Sequence, residues 1–166
     1  VLRDWGRATG EIDAFAEFAD NFGPLVRDNA IGSNEINGMV VRGGAVTGMS
    51  IWDDTDIVHV VLDEIVVPNF HTYGGLRIES NAKGSLVVKL GQGTVTDPDD
   101  GTTRTTIGAI TVGGEPFDIH DRAGGRLQII GHGGFPVVFT SLADDTVTAG
   151  LDPKLRPVGD TNADGD

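Results

Sequence analysis

Residues Asp56–Leu90 read DIVHVVLDEIVVPNFHTYGGLRIESNAKGSLVVKL. Four short apolar runs stand in this stretch: Ile57–Leu62, Ile65–Val67, Leu76–Ile78 and Leu86–Leu90. Each is β-branched or Leu-rich and too short for a helix, so each reads as a strand. Their starts, at Ile57, Ile65, Leu76 and Leu86, are nearly evenly spaced. The beat returns at Ile107, Phe117, Leu127 and Val137, now at a constant interval. Short strands at such intervals stack in layers, as a sandwich or a solenoid. The near-continuous apolar runs suit strands that are covered on both faces or line a narrow core.

Internal repetition favours the solenoid. EIVVPNFHTYGGLRIESNAKGSLVVKL, from Glu64, parallels AITVGGEPFDIHDRAGGRLQIIGHGGFPVVFTS, from Ala109. Both run strand, polar turn, Gly-Gly strand, Gly-rich turn, strand, with a period of about 50 residues. Between the halves, Gly91–Arg104 (GQGTVTDPDDGTTR) breaks the beat and reads as a protruding loop over 91–104. Its Asp97-Pro98-Asp99-Asp100-Gly101 is a turn, in which Pro presets one dihedral and Gly permits a positive one. The expected fold is therefore all-β, a short right-handed parallel β-helix. An Ig-like or jelly-roll β-sandwich is the alternative.

Outside the beat, Glu11–Phe22 (EIDAFAEFADNF) fits a helical stripe of Ile12, Phe15, Ala16, Ala19 and Phe22. It also alternates as a strand would through Ile12, Ala14, Ala16 and Phe18. A short helix there would cap an open coil end. In 24–44, Asn29, Asn34 and Asn37 punctuate short apolar steps. Turn asparagines bond their own turns, and in a stacked coil they can also form a ladder from one layer to the next. The expected division is one solenoid domain over 1–145, then an Asp-rich tail or linker over 146–166.

Composition narrows the function classes. The 166 residues suffice for one domain with a real core, and the formal charge is −13. That charge disfavours a nucleic-acid backbone or an anionic membrane and favours divalent cations. The 25 glycines, about twice the average share, fit many tight turns. There is no cysteine, hence no disulfide framework and no thiol catalysis. No apolar run approaches the roughly 18 residues that span a bilayer. The sequence starts at Val1 rather than Met and reads as a processed product or an excised segment of something longer.

Several pieces together look like a known group. These are Trp52, Val61–Pro68, Leu76–Glu79, Leu86–Lys89, Gly134–Asp145 (with PVVFTSLADD) and Asp160–Gly165. They resemble the repeating β-helix segments of large exported bacterial proteins. The resemblance implies a solenoid and an extracellular or cell-surface setting, without implying an activity. In that group an Asp-rich loop leads into Asp-Trp-Gly and a further coil. This chain carries Asp4-Trp5-Gly6 near one end and the loop near the other, so it is expected to be one unit of an array or a subunit that stacks head to tail.

One motif carries chemistry: Asp160-x-Asn162-x-Asp164-Gly165-Asp166. Oxygen side chains at alternate positions before a Gly match the first half of a Ca²⁺ loop, with Asp166 at the position that offers a backbone carbonyl. Asp160, Asn162, Asp164 and Asp166 are thus the expected ligands, and Ca²⁺ the expected ion.

Enzymatic signatures are weaker. Asp53-Asp54, Asp99-Asp100 and Asp144-Asp145 are adjacent pairs, and strand neighbours point to opposite faces, so they cannot flank one glycosidic bond. His59, His71, His120 and His132 share no metal-ligand spacing. No serine sits in a G-x-S-x-G elbow. The expected function is a non-enzymatic building block of an exported bacterial fibre or surface array, partnered by its own copies or by neighbouring β-helix repeats. The alternatives are an adhesive or glycan-binding module of a long surface protein, for which Trp5, Trp52 and Tyr73 are few aromatics, and a polysaccharide-degrading β-helix enzyme.

Overall fold

The computed structural model describes residues 23, 24, 26–69, 75–113 and 125–165. The segment 11–22, the run Phe117–Ile119, residues Trp5, His71, Tyr73, His120 and Asp166, and the Asp4-Trp5-Gly6 motif lie outside them. Among the described residues there is no helix, and all regular structure is β.

The described residues hold twelve strands: β1 (Met39–Val41), β2 (Gly44–Ala45), β3 (Met49–Trp52), β4 (Val58–Val61), β5 (Glu64–Val67), β6 (Gly75–Glu79), β7 (Leu86–Leu90), β8 (Gln92–Thr96), β9 (Thr103–Ile107), β10 (Ala109–Val112), β11 (Leu127–Ile130) and β12 (Val137–Ser141). They form a four-stranded sheet β1-β4-β7-β12, two three-stranded sheets β10-β5-β2 and β11-β6-β3, and the hairpin β8-β9. Pairing within the three larger sheets is parallel throughout. The chain visits the first, second and third sheets in turn, through β1-β2-β3, then β4-β5-β6, then β7-β10-β11, and returns to the first with β12. This arrangement is consistent with a β-solenoid-like fold.

The internal repeat is the stacking register. Ile65 pairs with Ile110, Leu76 with Leu127 and Leu86 with Val137, so each strand of the first half lies beside its counterpart in the second. The linking turns stack as well. Asn81 closes a bridge with Gly84, and His132 closes the corresponding one with Phe135. Asn81 Oδ1 accepts from the amides of Lys83 and Gly84 at 2.8 and 3.2 Å, which fixes that turn.

Alternation explains the near-continuous apolar strands of the first sheet. Val61, Leu86 and Val88 turn inward, to Trp52, Ile65, Val67, Leu76 and Ile78. Val58, Val60 and Val87 turn outward, yet they too are buried, under Ile36, Leu62, Val138, Leu142, Val147 and Ala149. Each such Val or Leu contributes about 1.5–3 kcal/mol by leaving water. The outer cover comes from both ends of the described chain. The segment 146–166, expected as a tail or linker, is described to residue 165 and packs here: Val158 and Thr161 are buried, and the Leu151 carbonyl accepts from the Ile31 amide at 2.9 Å.

The interruption over 91–104 is itself ordered. β8 and β9 pair antiparallel from Gln92↔Ile107 to Thr96↔Thr103, a hairpin in place of the expected loop. Its tip is the Asp97–Gly101 turn, in which the Gly101 amide donates to the Asp97 carbonyl at 2.9 Å. Threonines rather than apolar residues build both strands, so no hydrophobic stripe announces them.

No asparagine ladder forms in the first described turns. Asn29 and Asn34 donate to the carbonyls of Arg27 and Gly32 in their own turns. Asn37 Nδ2 instead reaches the Asp160 carbonyl at 3.0 Å, tying the two covering segments together.

Candidate functional sites: an acidic loop and an open coil end

The Asp160 loop is placed by buried anchors. Thr161 is fully buried, and its carbonyl accepts from the Asn37 amide at 2.8 Å. Beyond it, Ala163 and Gly165 take positive φ values of 56° and 82°, which curl the chain back on itself. Beneath lies Lys89, fully buried on the outer face of β7. Its Nζ donates to the carbonyls of Asp144 at 2.7 Å and Gly159 at 2.8 Å. Those carbonyls immediately precede Asp145 and Asp160, so one ammonium sets two carboxylates side by side. Burial lowers the Lys89 pKa, and Asp145, Asp144 and Asp160 oppose that shift.

Two of the four expected ligands, Asp160 and Asp164, lie together, with Asp145 beside them. Asp145, Asp160 and Asp164 each offer a carboxylate oxygen, and these oxygens lie within 4.8 Å of one another. Oδ1 of Asp145, Oδ1 of Asp160 and Oδ1 of Asn162 are shielded from solvent and have no hydrogen-bond partner. The Asn162 amide nitrogen turns the other way, to Asp164 Oδ2. Asp166, the fourth expected ligand, is outside the described residues. Asp145 is the residue that local spacing misses, because nothing in the sequence joins it to the Asp160 loop.

The carboxylate pairs divide their work. Asp144 is consumed locally: Oδ1 accepts from the Thr146 amide at 3.0 Å and hydroxyl at 2.6 Å, and Oδ2 accepts from the Thr140 hydroxyl. These bonds, Thr140's first, hold its pKa below the ordinary value. Asp145 alone faces the cluster. At the other pair, buried Asp54 accepts from the Val26 amide at 3.0 Å while Asp53 meets Arg27. Asp56 accepts from the Asp28 amide at 2.6 Å. Asp53, Asp54 and Asp56 thus anchor 26–28. Desolvation raises the Asp54 pKa to about 6.

His59 is no ligand candidate. It is fully buried and stacks on Trp52 with centroids 5.3 Å apart and planes at 17°. Desolvation lowers its pKa to about 4. His132 sits in an exposed turn, its amide bonded to Ser80 Oγ at 2.8 Å.

The second candidate site is the end formed by β10, β11 and β12. Among the described residues, each is the last strand of its sheet and pairs on one side only. The interior columns reach this end without closing. Trp52, Ile78 and Ile129 are stacked in register, and exposure rises from 0% at Ile78 to 50% at Ile129. In the first sheet, Val88 stacks under Phe139, and exposure rises from 0% to 38%. A groove of about 470 Å³ opens beside them, lined by Leu90, Gly91, Ile107, Gly108, Leu142 and Asn162 among others. At the opposite end β1 and β2 are also outermost, with Val40 exposed. There Gly23 lies against the Ile51 carbonyl of β3.

No family model, curated protein or solved structure matches the chain.

Proposed function

We propose that this chain is a non-enzymatic structural module of an exported bacterial fibre or surface array. In this reading it is a short right-handed parallel β-helix, the hand that parallel crossovers almost always take. The open end receives a further parallel coil, in the simplest case a second copy docked head to tail. A heterologous contact of that kind does not close on itself and so propagates as a filament.

The supporting observation is the half-exposed Ile129 above the fully buried Ile78. Ile129 continues an interior column, so its exposure marks a core left open rather than an outward-facing side chain. The parallel edges beside it, unpaired among the described residues, supply backbone donors and acceptors for another strand. The extracellular or cell-surface setting rests on the sequence resemblance alone. Trp52, the one tryptophan among the described residues, is buried, so it gives a glycan-binding groove no exposed ring.

Electron microscopy of the native material, with sedimentation of the isolated chain at rising concentration, tests the reading. Regular fibres, or end-on oligomers lost in Ile129→Lys, are expected. Monodisperse monomers at high concentration, with and without Ca²⁺, would overturn it.

A further inference from the structure

We infer that the carboxylates of the 53–56 turn form a proton-operated clamp that holds the entering chain over the outer edge of β3 and loosens as the pH rises. The Gly48 carbonyl, just before β3, accepts from the Gly75 amide of β6 at 3.1 Å. Carbonyls alternate in direction along a strand, so that of Ile51 faces away from β6, out of the first end. Gly23 lies on it: a Cβ there would sit 1.8 Å from the Ile51 oxygen, so only glycine approaches this closely. The entering chain thus occupies the edge at which a further strand would pair with β3.

Three contacts hold it there. Asp54 Oδ1 accepts from the Val26 amide at 3.0 Å, Asp56 Oδ2 accepts from the Asp28 amide at 2.6 Å, and Asp53 Oδ2 meets Arg27 at 3.4 Å. With the chain in place Asp54 is fully buried, and its Oδ2 and Oδ1 of Asp56 are shielded from solvent without a hydrogen-bond partner. Around Asp54 stand the carboxylates of Asp53 and Asp56 and the guanidinium of Arg27, whose Nε is 3.9 Å from Asp54 Oδ1. The turn of the next coil adds neutral Asn81, bonded to Thr55 Oγ1 at 3.1 Å, and exposed Lys83. Asp28 is likewise exposed, and His59 of β4 is neutral above its pKa of about 4. Closing the clamp therefore strips water from a carboxylate beside two others, and a proton on Asp54 relieves that cost. Desolvation first, then Asp53 and Asp56, accordingly raise the Asp54 pKa to about 6, against the bond from Val26 and the charge of Arg27. The closed clamp binds the proton more tightly than the open one, so closure is favoured as pH falls through 6 and weakened above it.

Amide hydrogen exchange in the dilute full chain, corrected for intrinsic rates, tests this on the parent, Asp54→Asn and Gly23→Ala. In the parent, the Val26 and Asp28 amides should open about tenfold more often at pH 7.5 than at pH 5, while those of β4 stay protected at both. Asp54→Asn keeps the oxygen that Val26 bonds and removes the titrating group, so it should hold these amides equally well at the two pH values. Gly23→Ala should speed exchange of the Ile51 amide at both, by pushing the cover off the edge of β3. The parent comparison needs no variant to fold. Equal protection of Val26 and Asp28 at the two pH values in the parent would overturn the inference. So would a pH difference that Asp54→Asn retains, or exchange of these amides only together with those of β4.

Discussion

Lys89 Nζ donates a 2.8 Å hydrogen bond to the carbonyl of Gly159, 70 residues further along the chain. Together with the 2.7 Å bond to Asp144, it pins both ends of the covering strap to the outer face of β7. A lysine in the run LVVKL would ordinarily point to solvent, and here the strap makes that face an interior.

Lys89→Met keeps the side chain's length and removes the donors. The carbonyls of Asp144 and Gly159 then lose their charged partner under cover, which costs about 2–4 kcal/mol. Urea unfolding should show that loss, and limited proteolysis should show new cleavage within 142–161. Unchanged stability together with an intact strap would contradict the pinning role.

Ile78 and Ile129 occupy one column at very different exposure, 0% and 50%. Ile78→Ala should destabilise the chain by about 2–5 kcal/mol, as buried truncations do. Ile129→Ala should cost the dilute monomer about 1 kcal/mol or less. Equal losses in dilute solution would mean that the column is closed at both positions.

Gly150 has φ +75°, and a Cβ there would lie 2.3 Å from the Asp56 carbonyl oxygen. Gly150→Ala therefore combines backbone strain with a forced shift of the strap, at about 1–3 kcal/mol. Gly133, which has nothing within 4 Å of a built Cβ, should accept alanine with almost no change in melting temperature. Equal melting temperatures for the two variants would contradict the close approach at Gly150.

Two buried groups pull pH dependence in opposite directions. The His59 pKa falls from 6.5 to about 4 on folding, so the unfolded chain binds its proton first and stability is lost as pH drops from 6.5 to 4. The Asp54 pKa rises from 3.8 to about 6, so the folded chain binds its proton first and stability is gained as pH drops from 6 to 4. Over that window the two effects oppose one another. Asp54→Asn should therefore make the chain more acid-labile than the parent, and His59→Phe less so, in urea unfolding at pH 7 and pH 4.5. Identical pH profiles for all three proteins would contradict these shifts.

The strands that bury apolar side chains are legible as sequence. β4, β5, β6, β7, β11 and β12 fall on the expected runs, and the parallel halves of the sequence are the strands that pair, Glu64 with Ala109 and Leu76 with Leu127. The hairpin β8-β9 reads as a loop because threonine-rich strands, largely exposed, carry no period-two apolar signal. The strap reads as a tail for a related reason: Leu142, Val147, Ala149 and Val158 are spaced irregularly among polar residues, and their burial depends on a sheet far away in sequence. Of the acidic site, Asp160, Asn162 and Asp164 are visible through their local spacing. Asp145 is not, because its place follows from the bonds Lys89 makes, which only the folded chain reveals.

The open end is tested most directly by amide hydrogen exchange at low and high protein concentration. If β10, β11 and β12 receive another coil, their outward-facing edge amides should become protected as concentration rises, while the interior strands β4 and β7 stay protected throughout. Exchange at β10, β11 and β12 that is fast and independent of concentration, up to the highest soluble concentration, would contradict an end that docks.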